Sequence, residues 1–177
     1  VYAIISSFSY RNNFKGALFR GADPENPIRI PIFEDGALRK LIAEKGLELA
    51  KFENFDEPIA PSRSIDIQLP PDFQELELCG FTIGRADSSV VLKGAKEKIT
   101  LSNIEPEVMI TKISGHNVIE KWLRERKFSY LKRTFRQKDL QQLIELITRL
   151  EQQVMLIKKI DQLFDEGLNK DQYVKLD

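Results

Sequence analysis

The stretch SIDIQLPPDFQELELCGFTIGRADSSVVLKGAKEKITL, residues 64–101, decides the fold. Apolar and polar residues alternate over 65–69, 76–78 and 81–83, and further short apolar segments follow at 90–92 and 99–101. Period-two alternation gives a strand one apolar face, and the prolines, glycines and Asp-Ser pair between the segments are typical of turns. A strand about every ten residues favours a small antiparallel sheet or partial barrel.

The β region is predicted to extend to residue 113, because Met109–Ile113 has the pattern of one more strand. Before it, residues 1–52 form a predicted helical lead-in. After it, residues 115–167 form a predicted helical region. The predicted class is therefore α+β, with N-terminal helices, a small central antiparallel sheet and a long C-terminal helix.

The lead-in is predicted to contain two helices. The first covers residues 1–20, with Ser7 or Ser9 as a possible N-cap, and the second runs from Asp35, its N-cap, to Phe52. Prolines favour an extended segment between them at 27–31, and residues 53–64 are predicted to be a linker or surface loop.

The C-terminal helix has the most regular apolar pattern in the chain. Asp139, three residues before Gln142, resembles the start of a capping box, and apolar residues then recur at spacings of three and four up to Phe164. Additional apolar positions make this stripe wider than a two-stranded coiled coil requires. We expect it to pack against its own domain, with coiled-coil pairing as the alternative.

The chain has 177 residues with 27 basic and 27 acidic side chains, so its formal net charge is zero. One cysteine, Cys79, excludes an internal disulfide framework and indicates a reducing compartment. No apolar run approaches the roughly 20 residues of a membrane span, and no signal peptide is recognisable. These features predict a cytoplasmic location without a membrane partner. Because the chain opens on Val1 within an apolar run, we expect a fragment of a larger protein.

No combination of side chains indicates catalysis. The chain has one histidine, His116, and one cysteine, in different segments, whereas metal sites and nucleophilic catalysis need clustered ligands or a nucleophile with its base. Gly80 and Gly84 lack the spacing of a phosphate-binding loop. We predict no catalytic residue, no metal ligand and no cofactor for this chain.

Zero net charge conceals an uneven distribution. Residues 121–138, KWLRERKFSYLKRTFRQK, contain eight bases and one acid, a charge of +7, whereas residues 34–77 contain eleven acids and five bases, a charge of −6. Bases interleaved with aromatic residues are typical of a surface that contacts phosphates. The alternative is that this basic run, residues 121–138, pairs with the acidic segment 34–77. From composition alone, both DNA or RNA binding and intramolecular pairing remain open.

Three stretches together resemble a known family. Residues 2–14 (YAIISSFSYRNNF), followed by Arg29-Ile30-Pro31, are similar to a recurring Y-x-A-I-L-h-S-x-x-Y-R-x-x-Y segment with a later P-R-I-P. Residues 46–50 resemble its G-x-x-L-A helix. Residues 113–127 (ISGHNVIEKWLRERK) resemble I-G-G-Y-x-V-x-x-K-W-L-K-x-R-K, which precedes a long closing helix. In this order they resemble the region that follows the adenine methyltransferase domain in bacterial restriction-modification enzymes of the Type ISP and Eco57I-like classes.

The resemblance implies that residues 1–177 are one target-recognition (specificity) domain fragment of a larger enzyme. That parent would be a bacterial adenine-specific DNA methyltransferase, with or without a fused nuclease–helicase, and S-adenosylmethionine would be a cofactor of the parent and not of this fragment. The implied partners are double-stranded DNA and the parent's methyltransferase domain.

Seven basic residues are candidates for DNA contact under this interpretation. Those predicted to contact the DNA backbone lie in the basic run: Arg124, Arg126, Lys127, Lys132, Arg133 and Arg136. Arg85, beside a predicted turn, is the candidate for reading bases. The alternative function is a helical protein–protein interaction or scaffolding module without DNA binding, in which residues 140–164 dock a partner.

Overall fold

The computed structural model describes residues 1–15, 30–53, 65–113 and 115–169. The chain divides into two compact units, the first comprising residues 1–58 and 153–177 and the second residues 59–152. Helices, a four-stranded antiparallel sheet and a long C-terminal helix confirm the predicted α+β class. The extended segment predicted at 27–31, apart from residues 30 and 31, and nearly all of the predicted linker lie outside the described residues.

The described elements are helices and short strands, with three helices first and five strands in succession after them. In chain order they are α1 (Tyr2–Ser6), α2 (Phe8–Asn13), α3 (Gly36–Glu53), β1 (Asp66–Gln68), β2 (Glu75–Leu76), β3 (Gly80–Gly84), β4 (Ser89–Lys93), β5 (Lys98–Ser102), α4 (Pro106–Ile110), β6 (Lys112–Ile113), β7 (His116–Asn117), α5 (Val118–Arg124), α6 (Phe128–Leu131), β8 (Phe135–Arg136) and α7 (Gln137–Asn169).

In the first unit, α1 and α2 meet at Ser7. The Ser7 hydroxyl accepts a hydrogen bond from the Tyr10 backbone N–H at 3.0 Å, which confirms the predicted N-cap. The same hydroxyl donates to Asp161 Oδ1 at 2.6 Å. Because Ser7 has extended backbone angles, two short helices replace the predicted single helix, and residues 16–20 lie outside the described residues. Tyr10 is fully buried and its ring packs against Phe14 and Phe164.

The second predicted helix is confirmed as α3, with its cap. Asp35 Oδ1 accepts hydrogen bonds from the backbone N–H groups of Ala37 and Leu38, at 2.8 and 3.2 Å. The apolar side chains of α3 are only partly buried: Leu38, Ile42 and Leu49 lie in the core, whereas Leu41 is exposed.

The second unit contains the sheet predicted from residues 64–101. Its strand order is β1-β5-β4-β3, and all pairs are antiparallel. The buried face of the sheet includes Val90, Leu92, Ile99 and Leu101, which belong to the short apolar segments predicted at 90–92 and 99–101. The strand predicted at 76–78 is shorter: β2 is limited to Glu75–Leu76 and pairs with β8 in a separate ladder.

The additional strand predicted at Met109–Ile113 is wrong for most of its length. Pro106 lies in the first turn of α4, where its fixed φ favours a helix, and Val108 and Met109 are both buried. Two consecutive buried residues fit a helix packed on a core better than a half-exposed strand. Only Lys112–Ile113 is extended; it pairs with β7, and Gly115 between them has a positive φ of 80°.

The long C-terminal helix α7 begins at Gln137, two residues before the predicted start at Asp139. Asp139 still stabilises this end, because its Oδ2 accepts the Arg136 backbone N–H at 2.9 Å. The apolar stripe is buried within the chain, as predicted for packing against its own domain, at Leu140, Leu143, Ile147, Leu150, Val154, Leu156, Ile160 and Phe164. None of the helices in the described ranges is long and apolar enough to traverse a bilayer.

Candidate nucleic-acid interface

The basic run folds around two packed aromatic rings in the second unit. Trp122 on α5 and Phe135 on β8 meet edge to face with ring centroids 6.3 Å apart, and Phe135 is buried. Arg126 lies over the Trp122 ring at 3.5 Å and donates from Nη1 to the Trp122 carbonyl at 3.2 Å. Burial lowers the pKa of Arg126 below its ordinary value. This arginine is held by the protein itself.

Asp139 holds a second arginine. Arg133 donates to both carboxylate oxygens of Asp139, from Nη1 to Oδ2 at 2.6 Å and from Nη2 to Oδ1 at 2.7 Å. These hydrogen bonds lower the pKa of Asp139 and raise that of Arg133. Only 5% of the Asp139 side chain is exposed. Arg126 and Arg133 were both predicted to contact DNA, and the structure gives each a contact that stabilises the fold.

The other cations of the basic run are more available. The ammonium of Lys127 lies 5.2 Å from the centre of the Phe81 ring, and exposed Arg124 forms an ion pair with Glu120 one turn earlier on α5. Three exposed lysines of the basic run form no ion pair with the described residues: Lys121, Lys132 and Lys138. Of these three lysines, only Lys132 was among the residues predicted to contact DNA, although all three belong to the basic run.

Arg85 lies where it was predicted, at the exposed start of the turn between β3 and β4. The structure adds its neighbours. Arg85 lines a depression of about 280 Å³ together with Phe81 and Ile83 of β3 and with Asn117 and Glu120. Glu120 is also the ion-pair partner of Arg124, so the turn and α5 contribute to one surface.

A further shallow recess, of about 220 Å³, lies beside α6. It is lined by His116, Lys121, Arg124, Glu125 and Tyr130, and 70% of the Tyr130 surface is exposed. Exposed aromatic rings next to cations can stack on bases or pack against sugars. His116 therefore contributes to this surface.

Intramolecular pairing leaves most of the basic run uncompensated. Among the described residues of the second unit, Glu75 is the only acid of the segment 34–77 that forms a hydrogen bond or ion pair with the run. Its Oε2 accepts from Thr134 Oγ1 at 2.7 Å and lies 4.0 Å from Arg136 Nε. Within the described part of the second unit, the segment 34–77 therefore neutralises little of the basic run.

Comparison with known proteins identifies the family. A sequence model described as the Type ISP C-terminal specificity domain matches residues 1–156. The chain belongs to this family. The resemblance predicted from residues 2–14 and 113–127 is thereby confirmed, and so is the predicted function class, a specificity domain of restriction-modification enzymes.

Two solved structures share the fold of this specificity domain. One is a nuclease-deletion mutant of the Type ISP restriction-modification enzyme LlaGI in complex with a DNA substrate mimic, with 18% identity and a TM-score of 0.57. The other is the ATP-dependent Type ISP enzyme LlaBIII bound to DNA, with 18% identity and a TM-score of 0.58. Each match covers 90% of this chain but only 15% of the LlaGI chain and 10% of the LlaBIII chain. No curated protein matches.

The remaining features of the specificity domain concern metals and cavities. In the part of the chain that the structure describes, no three His, Cys, Asp or Glu side chains are grouped to hold a metal ion. Cys79 is exposed, and its Sγ donates to the Glu77 carbonyl at 3.3 Å. A groove of about 470 Å³ in the first unit is lined mainly by apolar side chains of α1, residues 30–33 and α3.

Proposed function

We propose that this specificity domain binds double-stranded DNA and recognises a target sequence for a restriction-modification enzyme. The observation that carries the proposal is the exposed basic run of the second unit. Asp139, Trp122 and Phe135 hold its arginines in place, and Glu75 is the one acid of segment 34–77 that pairs with it among the described residues of this unit. The DNA-bound states of LlaGI and LlaBIII, which share the fold, support it further.

The available lysines supply the phosphate contacts in this proposal. Neutralising a phosphate with a lysine or arginine releases condensed counterions, so affinity falls as salt rises. Lys121, Lys132 and Lys138 are suited to this role because no carboxylate among the described residues competes for them. Arg124 and Lys127 lie in the same basic run and add to its field. Arg126 and Arg133 act indirectly, by holding α5 and the start of α7 in place.

The alternative function, docking of a partner on residues 140–164, lacks support from this surface. The apolar side chains that would form the docking stripe are already buried within the chain. A helix whose apolar face is covered has little hydrophobic area left to bury against a partner.

The parent enzyme is also part of the proposal. The chain spans a small part of the two enzymes that share its fold, so the complete protein would be a bacterial, cytoplasmic restriction-modification enzyme with an adenine-specific DNA methyltransferase domain. S-adenosylmethionine would bind in that domain.

A titration of duplex DNA at several salt concentrations tests the proposal. The triple variant Lys121→Ala, Lys132→Ala, Lys138→Ala should bind more weakly than the unmodified chain, and the slope of log K against log salt should decrease by roughly 0.9 for each phosphate that is no longer neutralised. The matched control is Lys40→Ala, Lys45→Ala, Lys159→Ala, which removes the same charge from the first unit. Equal slopes for the two triple variants would contradict the proposal.

A further inference from the structure

A polar recess of about 480 Å³ lies at the start of α7. Its lining comes from two sequence regions far apart: Gln74 and Glu75 on one side, and Arg136, Gln137 and Lys138 on the other. The β2–β8 ladder brings them together, with Glu75 directly opposite Arg136. The recess is therefore a product of strand pairing and not of a local motif.

The hydrogen bonds at this recess leave a defined set of groups available. Gln137 donates from Nε2 to the Phe73 carbonyl at 3.1 Å, which leaves its Oε1 as an acceptor. Glu75 is engaged by Thr134, and it lies 4.0 Å from Arg136 Nε. The Gln74 amide forms no hydrogen bond and Lys138 no ion pair with the residues that the structure describes.

These available groups differ from those of a surface that binds only phosphate. Phosphate oxygens need donors, whereas the edges of bases present both donors and acceptors. A glutamine amide can donate to and accept from adenine, and an arginine can donate twice to guanine. Gln74 and Arg136 offer both patterns in one recess, beside a lysine that can contact the adjoining phosphate.

The backbone around Arg136 is fixed more firmly than a surface loop. Its N–H donates to Asp139, it pairs with Glu75 in the ladder, and the preceding residue, Phe135, is buried. Meanwhile the Arg136 side chain is 63% exposed. An exposed guanidinium on a fixed backbone suits base reading, because the backbone limits the region that the donor groups can reach before DNA binds.

We propose that this recess reads base edges in the major groove, with Gln74 and Arg136 as specificity-determining residues and Lys138 on the adjoining phosphate. The proposal rests on the DNA-binding function proposed above. It changes the role of Arg136, which the sequence placed among the backbone contacts, and it adds Gln74, which no sequence pattern indicated.

Selection from a random duplex library, with the complete 177-residue chain, tests the proposal. Gln74→Ala and Arg136→Lys should each relax the base preference at one or two adjacent positions by roughly tenfold to a hundredfold, while the salt dependence stays that of the unmodified chain. Lys132→Ala is the matched control: it should weaken binding to all sequences alike and lower the salt slope by about one. Circular dichroism spectra verify that each variant is folded.

Three outcomes would overturn the base-reading proposal. In the first, the unmodified chain binds DNA without any sequence preference, which would also contradict target recognition in the proposed function. In the second, Gln74→Ala and Arg136→Lys weaken all sequences equally, as phosphate contacts would. In the third, both variants select the same sequences as the unmodified chain with the same affinities. Each of these leaves DNA binding itself intact. The absence of any DNA binding at low salt would instead contradict the proposed function, so the two failures are distinguishable.

Discussion

The two units differ in how their edge-to-face ring pairs are covered. In the first unit, Phe164 packs edge to face with both Tyr10 and Phe33 at centroid distances of 5.8 Å, and all three rings are buried. In the second, Trp122 packs on the buried Phe135 but also carries Arg126 over its ring. The first arrangement excludes solvent from all of its rings, whereas in the second the outer ring also holds a cation. The same type of ring contact thus builds a core in one unit and, in the other, also fixes an arginine of the basic run.

The largest expected effect on stability comes from shortening one buried side chain in the core of each unit, in separate variants. Phe164→Ala should cost about 4 kcal/mol of the free energy of unfolding and Leu92→Ala about 3 kcal/mol, because each leaves a cavity among fully buried side chains. Native-state hydrogen exchange should lose protection first among the amides of the unit that carries the substitution. Leu41→Ala, at an exposed site, is the control. Simultaneous loss of protection throughout the chain for both variants would show that the units unfold as one.

Asp139→Asn should cost about 2 kcal/mol, since it removes two charge-assisted hydrogen bonds to Arg133. The folded-state pKa of Asp139 is below its unfolded-state value, so the stabilisation is present above that unfolded value, near 4, and is lost as pH falls towards the folded one. Urea denaturation at pH 7 and pH 3 measures this.

The difference between the Asp139→Asn variant and the unmodified chain should narrow at the lower pH. A difference that is the same at both pH values would contradict the assigned role of Asp139. Arg124→Ala, which removes an exposed ion pair, is the control and should change stability by less than about 1 kcal/mol.

The smallest expected effect concerns the contact between α1 and α3 in the first unit. A Cβ added at Gly46 would lie 2.8 Å from the Ala3 Cβ, so Gly46→Ala should push the helices apart. Better helix propensity offsets part of this cost, which leaves a net destabilisation of about 1 kcal/mol. Gly36→Ala, where the nearest atom is the flexible Arg39 guanidinium at 3.7 Å, is the control. If thermal unfolding shows the Gly46→Ala variant to be as stable as the Gly36→Ala variant, the helices α1 and α3 are not closely packed at Ala3 and Gly46.

Local patterns predicted much of the fold correctly. Alternation located β3, and short apolar segments located β4 and β5. Asp35 was correctly predicted as a cap, and Ser7 was one of the two residues proposed for the other cap, because these signals depend on neighbouring residues. The strand predicted at Met109–Ile113 is wrong, because an apolar run alone does not distinguish a short strand from a buried helical turn.

The candidate site was less predictable than the fold. The distribution of charges along the sequence located the basic run. It did not distinguish the arginines that contact other groups of the protein, Arg126 and Arg133, from lysines without an ion pair among the described residues, such as Lys121 and Lys138. Gln74 was absent from the prediction because it joins Arg136 only through the β2–β8 ladder. Partners distant in sequence leave no periodic signal.

By itself, the sequence determined the α+β class, the family and the position of the basic run, since each depends on residue order and composition. Only the tertiary structure decided which of those cations form no ion pair and which of them lie beside an amide side chain, as Arg136 lies beside Gln74. Ion pairs and strand register depend on distances of a few ångströms between residues far apart in the chain, and the electrostatic energy of a charge depends on those distances and on its burial.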